Sequence, residues 1–262
     1  MGCGTREWGS VPSRIFIAEI AMKVSMRLAA VLFCSALSLL AGDLTIVFKN
    51  SGKMEGTSTT YYSSAFHRHN TESTRTDQLT DFKAGMMYTI KHKDRKIEKM
   101  SFDDLVAAFE GMQASLENMP AFLRKAMGGD GDTFTVDEVG KDTVANRKCK
   151  VFKILVGKLE MEVANDPTLQ IPVPQEAWAN YAKVRGMAMG AMASYKRLYE
   201  EMSKLKGVPL RTRTKFPIVG EITQEAVEVK EGAIPAAVFA LPEGYKVEDA
   251  GKKLREQMAK GR

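Results

Sequence analysis

Three histidines, sixteen methionines, three cysteines and scattered carboxylates are the side chains of this 262-residue sequence that could do chemistry. His67 and His69 are two apart, which on a strand places both imidazoles on one face, and His92 is the only other one. A zinc site wants three or four ligands in closed geometry. No cysteine pair or HExxH run completes this one, so the histidines read as exposed strand residues. Met187, Met189 and Met192 offer thioethers, the ligands that select Cu(I). At about 100° per residue, Met187 and Met189 point roughly 200° apart on a helix, so a Cu(I) binder stays a third reading only. Asp130, Asp132 and Asp137 suggest calcium, but Phe134 stands where the loop needs its third oxygen and the bidentate Glu is missing. There is no nucleophile elbow, phosphate-cradling Gly loop or dinucleotide fingerprint. Asp103 and Asp104 suit the acidic first turn of a helix. The expectation is a protein with no catalytic residue, no metal and no cofactor.

These residues sit in an ordinary globular composition. Hydrophobic residues make up 44% and charged residues 27%, which excludes a disordered chain, a collagen-like chain and a disulfide-dense miniprotein. Lys plus Arg is 38 against 32 for Asp plus Glu, and an excess of +6 does not demand nucleic acid as a partner.

Met22 to Gly42 reads as a secretory signal, with Lys23 and Arg27 ahead of the apolar run Leu28 to Leu40. A spanning helix needs roughly 20 apolar residues and this run is shorter, so a cleaved leader is expected, with Met22 as the true start. Cys34 is a poor lipidation site because it lies inside the run, after bulky Phe33. Loss of residues 1–42 would remove four basic and two acidic side chains, leaving a net charge of +4 and one cysteine, Cys149. Without a partner, Cys149 cannot form an intramolecular disulfide, and it reads as a small, half-buried strand residue. The organisation expected is a leader over 1–42, one domain over 43–246 and a charged tail over 247–262, exported to the periplasm or beyond. No transmembrane span is expected in the mature chain.

Strand signals dominate the first third. Leu44, Ile46 and Phe48 alternate with Thr45, Val47 and Lys49, and a turn at Asn50 to Gly52 leads to the Thr- and Tyr-rich stretch Thr57 to Tyr62. Further strands are expected at Phe66 to Thr71, Thr74 to Phe82, Met86 to Lys91 and Lys96 to Met100, as an antiparallel meander. Leu105, Phe109, Met112, Leu116, Met119 and Leu123 then form one helical stripe, with Ser101 or Asp103 as cap and Pro120 as a break. A second strand block covers Thr133 to Val139, Lys148 to Val156 and Leu159 to Val163. The longest helix runs from about Gln175 to Leu205 and carries Trp178, Tyr181, Met192 and Tyr195 on its stripe. The last strands are Leu210 to Val219, Glu221 to Lys230 and Ala237 to Leu241. Runs of strands broken by two helices predict an α+β domain with both helices on one side of the sheet.

With the leader and the strand order, five segments carry a likeness: Asp43 to Phe48, Met54 to Tyr62, Tyr88 to Ile90, Cys149 to Phe152 and Phe239 to Lys246. The chain resembles a family of secreted bacterial domains of unknown function, and its architecture looks like that of the lipoprotein carriers LolA and LolB. The resemblance implies a curved antiparallel half-barrel whose concave face is covered by two helices, with an apolar cavity between them. It imports no catalytic residue. The expected lining is Leu105, Phe109, Met112, Leu116 and Met119 from one helix and Trp178, Tyr181, Met192 and Tyr195 from the other. Met-rich walls suit a flexible apolar ligand. Two readings stay open: an exported, non-catalytic binder or carrier of a lipid or acyl chain, and an interaction module with a filled core that contacts another envelope protein. A cavity above roughly 300 Å³ favours the first.

Overall fold

The computed structural model describes residues 42–52, 55–107, 120, 134–156, 159–189, 201–202, 204–216 and 220–260. The chain divides into two compact units, Met1–Ala41 and Gly42–Arg262, and the described residues all belong to the second.

Twelve strands build one sheet: β1 Leu44–Gly52, β2 Gly56–Tyr62, β3 Phe66–Thr71, β4 Thr76–Asp81, β5 Met86–Lys91, β6 Lys96–Ser101, β7 Phe134–Val144, β8 Arg147–Val156, β9 Leu159–Asp166, β10 Val208–Phe216, β11 Gly220–Glu231 and β12 Lys246–Asp249. Among the described residues, the α-helices α1 Gln175–Met189 and α2 Ala250–Lys260, a helical turn at 102–107 and a 3-10 turn at Ala236–Phe239 accompany them. The spatial order is β12-β6-β5-β4-β3-β2-β1-β11-β10-β9-β8-β7. Every neighbouring pair is antiparallel except β12 with β6.

The expected α+β half-barrel with two helices covering its concave face is therefore corrected. The sheet is open, with β12 and β7 as its edges, and it is mixed. Among the described residues no pair of helices roofs a concave face; α1 meets the sheet at Tyr62 and His67. The helix expected from Leu105 onward is described only at 102–107 and 120, with Ser101 Oγ accepting from the Asp104 N–H at 3.1 Å as its cap. Strand pairing also extends beyond the expected limits. Asn50 to Gly52 stay in β1 rather than turning, because each pairs across to β11. Ala236–Phe239 coils instead of pairing, and Lys246–Asp249 joins β6 in parallel, held by a 3.0 Å ion pair between Lys96 and Glu248. A parallel pair needs a crossover, and the segment after β11 supplies it by passing over one face of the sheet.

Side-chain alternation sends β2 to β6 into two different environments. Tyr61, Phe66, Leu79, Tyr88, Ile90 and Ile97 face one way, and Phe239, Ile234, Leu241 and Tyr245 of the crossover pack on them. Tyr62 and His67, directly opposed in register, face the other way and meet α1. A separate core joins Leu44, Ile46 and Phe48 of β1 to Cys149, Val151, Ala164, Val208 and Leu210. Cys149 is only 2% exposed, tighter than the half-buried strand position expected of it. Burial, then the nearby Asp166 charge, raises its thiol pKa, which suits an inert core residue.

Candidate functional site

The seam between α1 and the sheet is aromatic. α1 starts after Pro174, whose carbonyl accepts from the Trp178 N–H at 2.9 Å, and its first two turns place Trp178 and Tyr181 over the sheet. The Tyr62 and His67 rings stack with centroids 4.8 Å apart. Trp178 meets Tyr62 edge-on at 5.9 Å, and Tyr181 meets His67 edge-on at 5.5 Å. Trp178 and Tyr181 lie 5.3 Å apart, and Phe82 closes the cluster 5.7 Å from Tyr181. Such pairs are worth about 0.5–1.5 kcal/mol each beyond their buried area.

Beside this cluster opens a cavity of about 270 Å³, walled by Tyr62, His67, Asn165, Ile171, Trp178, Tyr181, Ala182, Met202, Leu205, Gly207 and Pro209. Among these described wall residues there is no Asp, Glu, Lys or Arg. Burial, and secondarily Tyr181, pushes the Tyr62 phenol well above its ordinary pKa, so it stays a neutral hydroxyl. At about 270 Å³ the cavity falls short of the roughly 300 Å³ expected for a carrier of a lipid or acyl chain, so that criterion is not met. It suits a ring system or a short chain rather than a diacyl lipid.

The nine expected lining residues fare differently. Trp178 and Tyr181 wall the cavity. Leu105 is half-buried in the helical turn at 102–107 and is not among the wall residues. Phe109, Met112, Leu116, Met119, Met192 and Tyr195 lie outside the described residues. His67, expected to be exposed, is buried with Tyr181, and His69 lies 2.9 Å from the Thr60 hydroxyl. The period-two reading placed these two imidazoles on one face correctly, but it could not tell that helix α1 would cover it. Asn165, Ile171 and Tyr62 were missed because a strand end, a Pro-rich connector and a Tyr pair carry no binding signature of their own. Of the methionines weighed for Cu(I), Met187 and Met189 lie on the described backbone of α1, and Met192 lies outside the described residues.

A second constellation occupies the opposite face. Arg68 Nη2 donates to Asp77 Oδ2 at 2.6 Å, and His92 Nε2 lies 2.9 Å from the same oxygen. His92 Nδ1 lies 3.1 Å from the Tyr245 hydroxyl. Arg68 Nη1 also donates to the carbonyls of Val238 at 2.6 Å and Ala240 at 3.2 Å. This network ties the crossover to β3 and β4. A shallower hollow of about 370 Å³ lies beside it, walled by charged and polar residues including Glu72 and Arg75.

No family model matches the chain, and no curated protein does. Among solved structures, an uncharacterized conserved protein from Thermus thermophilus is similar at 8% identity and a TM-score of 0.46, over 80% of this chain and 91% of that one. MucB, in the complex structure of Pseudomonas aeruginosa MucA/MucB, is similar at 10% identity and a TM-score of 0.41, over 80% of this chain and 59% of that one. A LolA superfamily protein from Nitrosomonas europaea is similar at 7% identity and a TM-score of 0.24, over 76% of this chain and 90% of that one. At these scores it is the strand order and register of this chain, not a likeness, that defines its fold.

Proposed function

We propose that this protein binds a small apolar ligand, without transforming it, in the cavity beneath Trp178 and Tyr181, and that it does so outside the cytoplasm. One observation carries the reading: a cavity of about 270 Å³ with aromatic and aliphatic walls and no Asp, Glu, Lys or Arg among its described wall residues, set between a helix and a sheet. An apolar molecule entering such a space gains about 25 cal/mol per Å² of surface removed from water. The leader-like run Leu28 to Leu40 supports export. Among the described residues no helix is long and apolar enough to cross a membrane.

Organic extraction of the folded, purified protein followed by mass spectrometry tests the binding. A recurrent neutral apolar compound, near one per chain and absent from Trp178→Ala, is the expected result. Repeated absence of any such compound, with no uptake of an added apolar dye, contradicts it and favours an interaction module.

A further inference from the structure

How much of a ligand the cavity can cover depends on the smallest residues of its wall. Tyr181 and Ala182 follow Trp178 by three and four positions on α1, so the three share one helix face, and all of them belong to the wall. Ala182 and Gly207 are the two small residues of the described wall. They are not equivalent. At Gly207 no side chain can grow, because a Cβ would come 1.9 Å from the Asp166 carbonyl oxygen. Ala182 lies half-buried within a continuous helix, where a longer unbranched or γ-branched side chain suits the backbone. Such a side chain leans back towards the preceding turn, the one that holds Trp178.

The volume sets a count. A dry apolar cavity of about 150 Å³ takes benzene, which is roughly 25 Å³ for each non-hydrogen atom. At that ratio a cavity of about 270 Å³ covers about eleven such atoms. A longer molecule can still enter by one end, but the atoms beyond that number stay in water and add nothing to affinity.

We infer that the cavity covers one unbranched apolar chain or one small ring system of about eleven non-hydrogen atoms, and that Ala182 is the residue that sets this limit. This rests on the cavity being a ligand site, and the test separates the two claims. The full chain is titrated calorimetrically with straight-chain 1-alkanols from 1-hexanol to 1-dodecanol. In native protein each added methylene tightens binding about fourfold up to 1-decanol, which has about the number of atoms the cavity covers, and further methylenes gain almost nothing. Ala182→Leu adds three carbons to the wall, so the break moves to 1-heptanol, while 1-hexanol keeps its native affinity within about twofold. Steady fourfold gains through 1-dodecanol, or a break in native protein at 1-heptanol or below, overturn the size limit and leave the cavity reading standing. A break that stays at 1-decanol in folded Ala182→Leu overturns the role of Ala182. Absence of binding by every alkanol overturns both claims. If Ala182→Leu does not fold, judged by circular dichroism, Ala182→Val takes its place, with the break expected at 1-octanol and an unmoved break again overturning the role of Ala182.

Discussion

The Tyr181 hydroxyl lies 3.2 Å from His67 Nδ1, joining helix α1 to strand β3 across 114 residues of chain. Both side chains also wall the cavity, so the contact that seats the helix shapes the site. Tyr181→Phe keeps the ring and removes the hydroxyl. It should lower stability by about 1 kcal/mol, read as a shift in the urea midpoint at unchanged slope, while dye binding stays within a few-fold of native. Tyr181→Ala should damage both.

On the other face, Arg68 and Asp77 form a 2.6 Å pair with both side chains about 10% exposed. Removing one partner leaves the other charge buried, so Asp77→Ala should cost about 3–5 kcal/mol in chemical denaturation. The same variant frees the crossover that Arg68 holds through the Val238 and Ala240 carbonyls, and amide exchange at 236–241 should rise with it.

Gly207 has φ +97°, and a Cβ there would come 1.9 Å from the Asp166 carbonyl oxygen. No neighbouring side chain can yield, because the obstruction is backbone. Gly207→Ala should destabilise by more than the roughly 1–3 kcal/mol of a strained φ alone, and it should weaken dye binding because Gly207 is part of the cavity wall. Thermal melts and the dye titration check the two halves.

Burial raises the pKa of the Asp166 carboxyl, but the ion pair with Arg147 and the hydrogen bonds from Thr168 N–H at 2.8 Å and Oγ1 at 2.6 Å outweigh it, and the group ends below the usual carboxylate range. A pKa depressed in the folded state contributes stability that is present above the unfolded value, about 3.9, and is lost as pH falls through the folded value. Native protein should therefore lose stability relative to Asp166→Asn as pH is lowered from about 5 towards 2, with no such divergence between pH 5 and 7. Urea midpoints of the two proteins across that range are the measurement.

Strand positions were legible wherever alternation is strict. Phe66–Thr71 and Met86–Lys91 have the ends that pattern predicts, and Ser101 caps the helical turn as its type suggests. What alternation cannot carry is the identity of a strand's partners. Lys246–Asp249 has one exposed apolar residue, Val247, and looks like tail until its backbone pairs with β6. Nor does the pattern show that a left-handed residue closes the hairpins at Arg75 and Arg95, where glycine would be expected. At the site, Trp178 and Tyr181 were readable as a helical stripe. The surface they cover was not, because Tyr62, His67 and Asn165 come from distant segments brought together only by the sheet register.

The most direct test is a fluorescence titration of the full chain with the neutral dye N-phenyl-1-naphthylamine, alongside Trp178→Ala and the surface control Val247→Ala. Saturable binding near one dye per chain is expected for native protein and control. Trp178→Ala should bind roughly 30-fold more weakly, the equivalent of about 2 kcal/mol for loss of a buried Trp contact. Dye uptake that does not saturate, or that is unchanged in a folded Trp178→Ala, would contradict a ligand site beneath this helix.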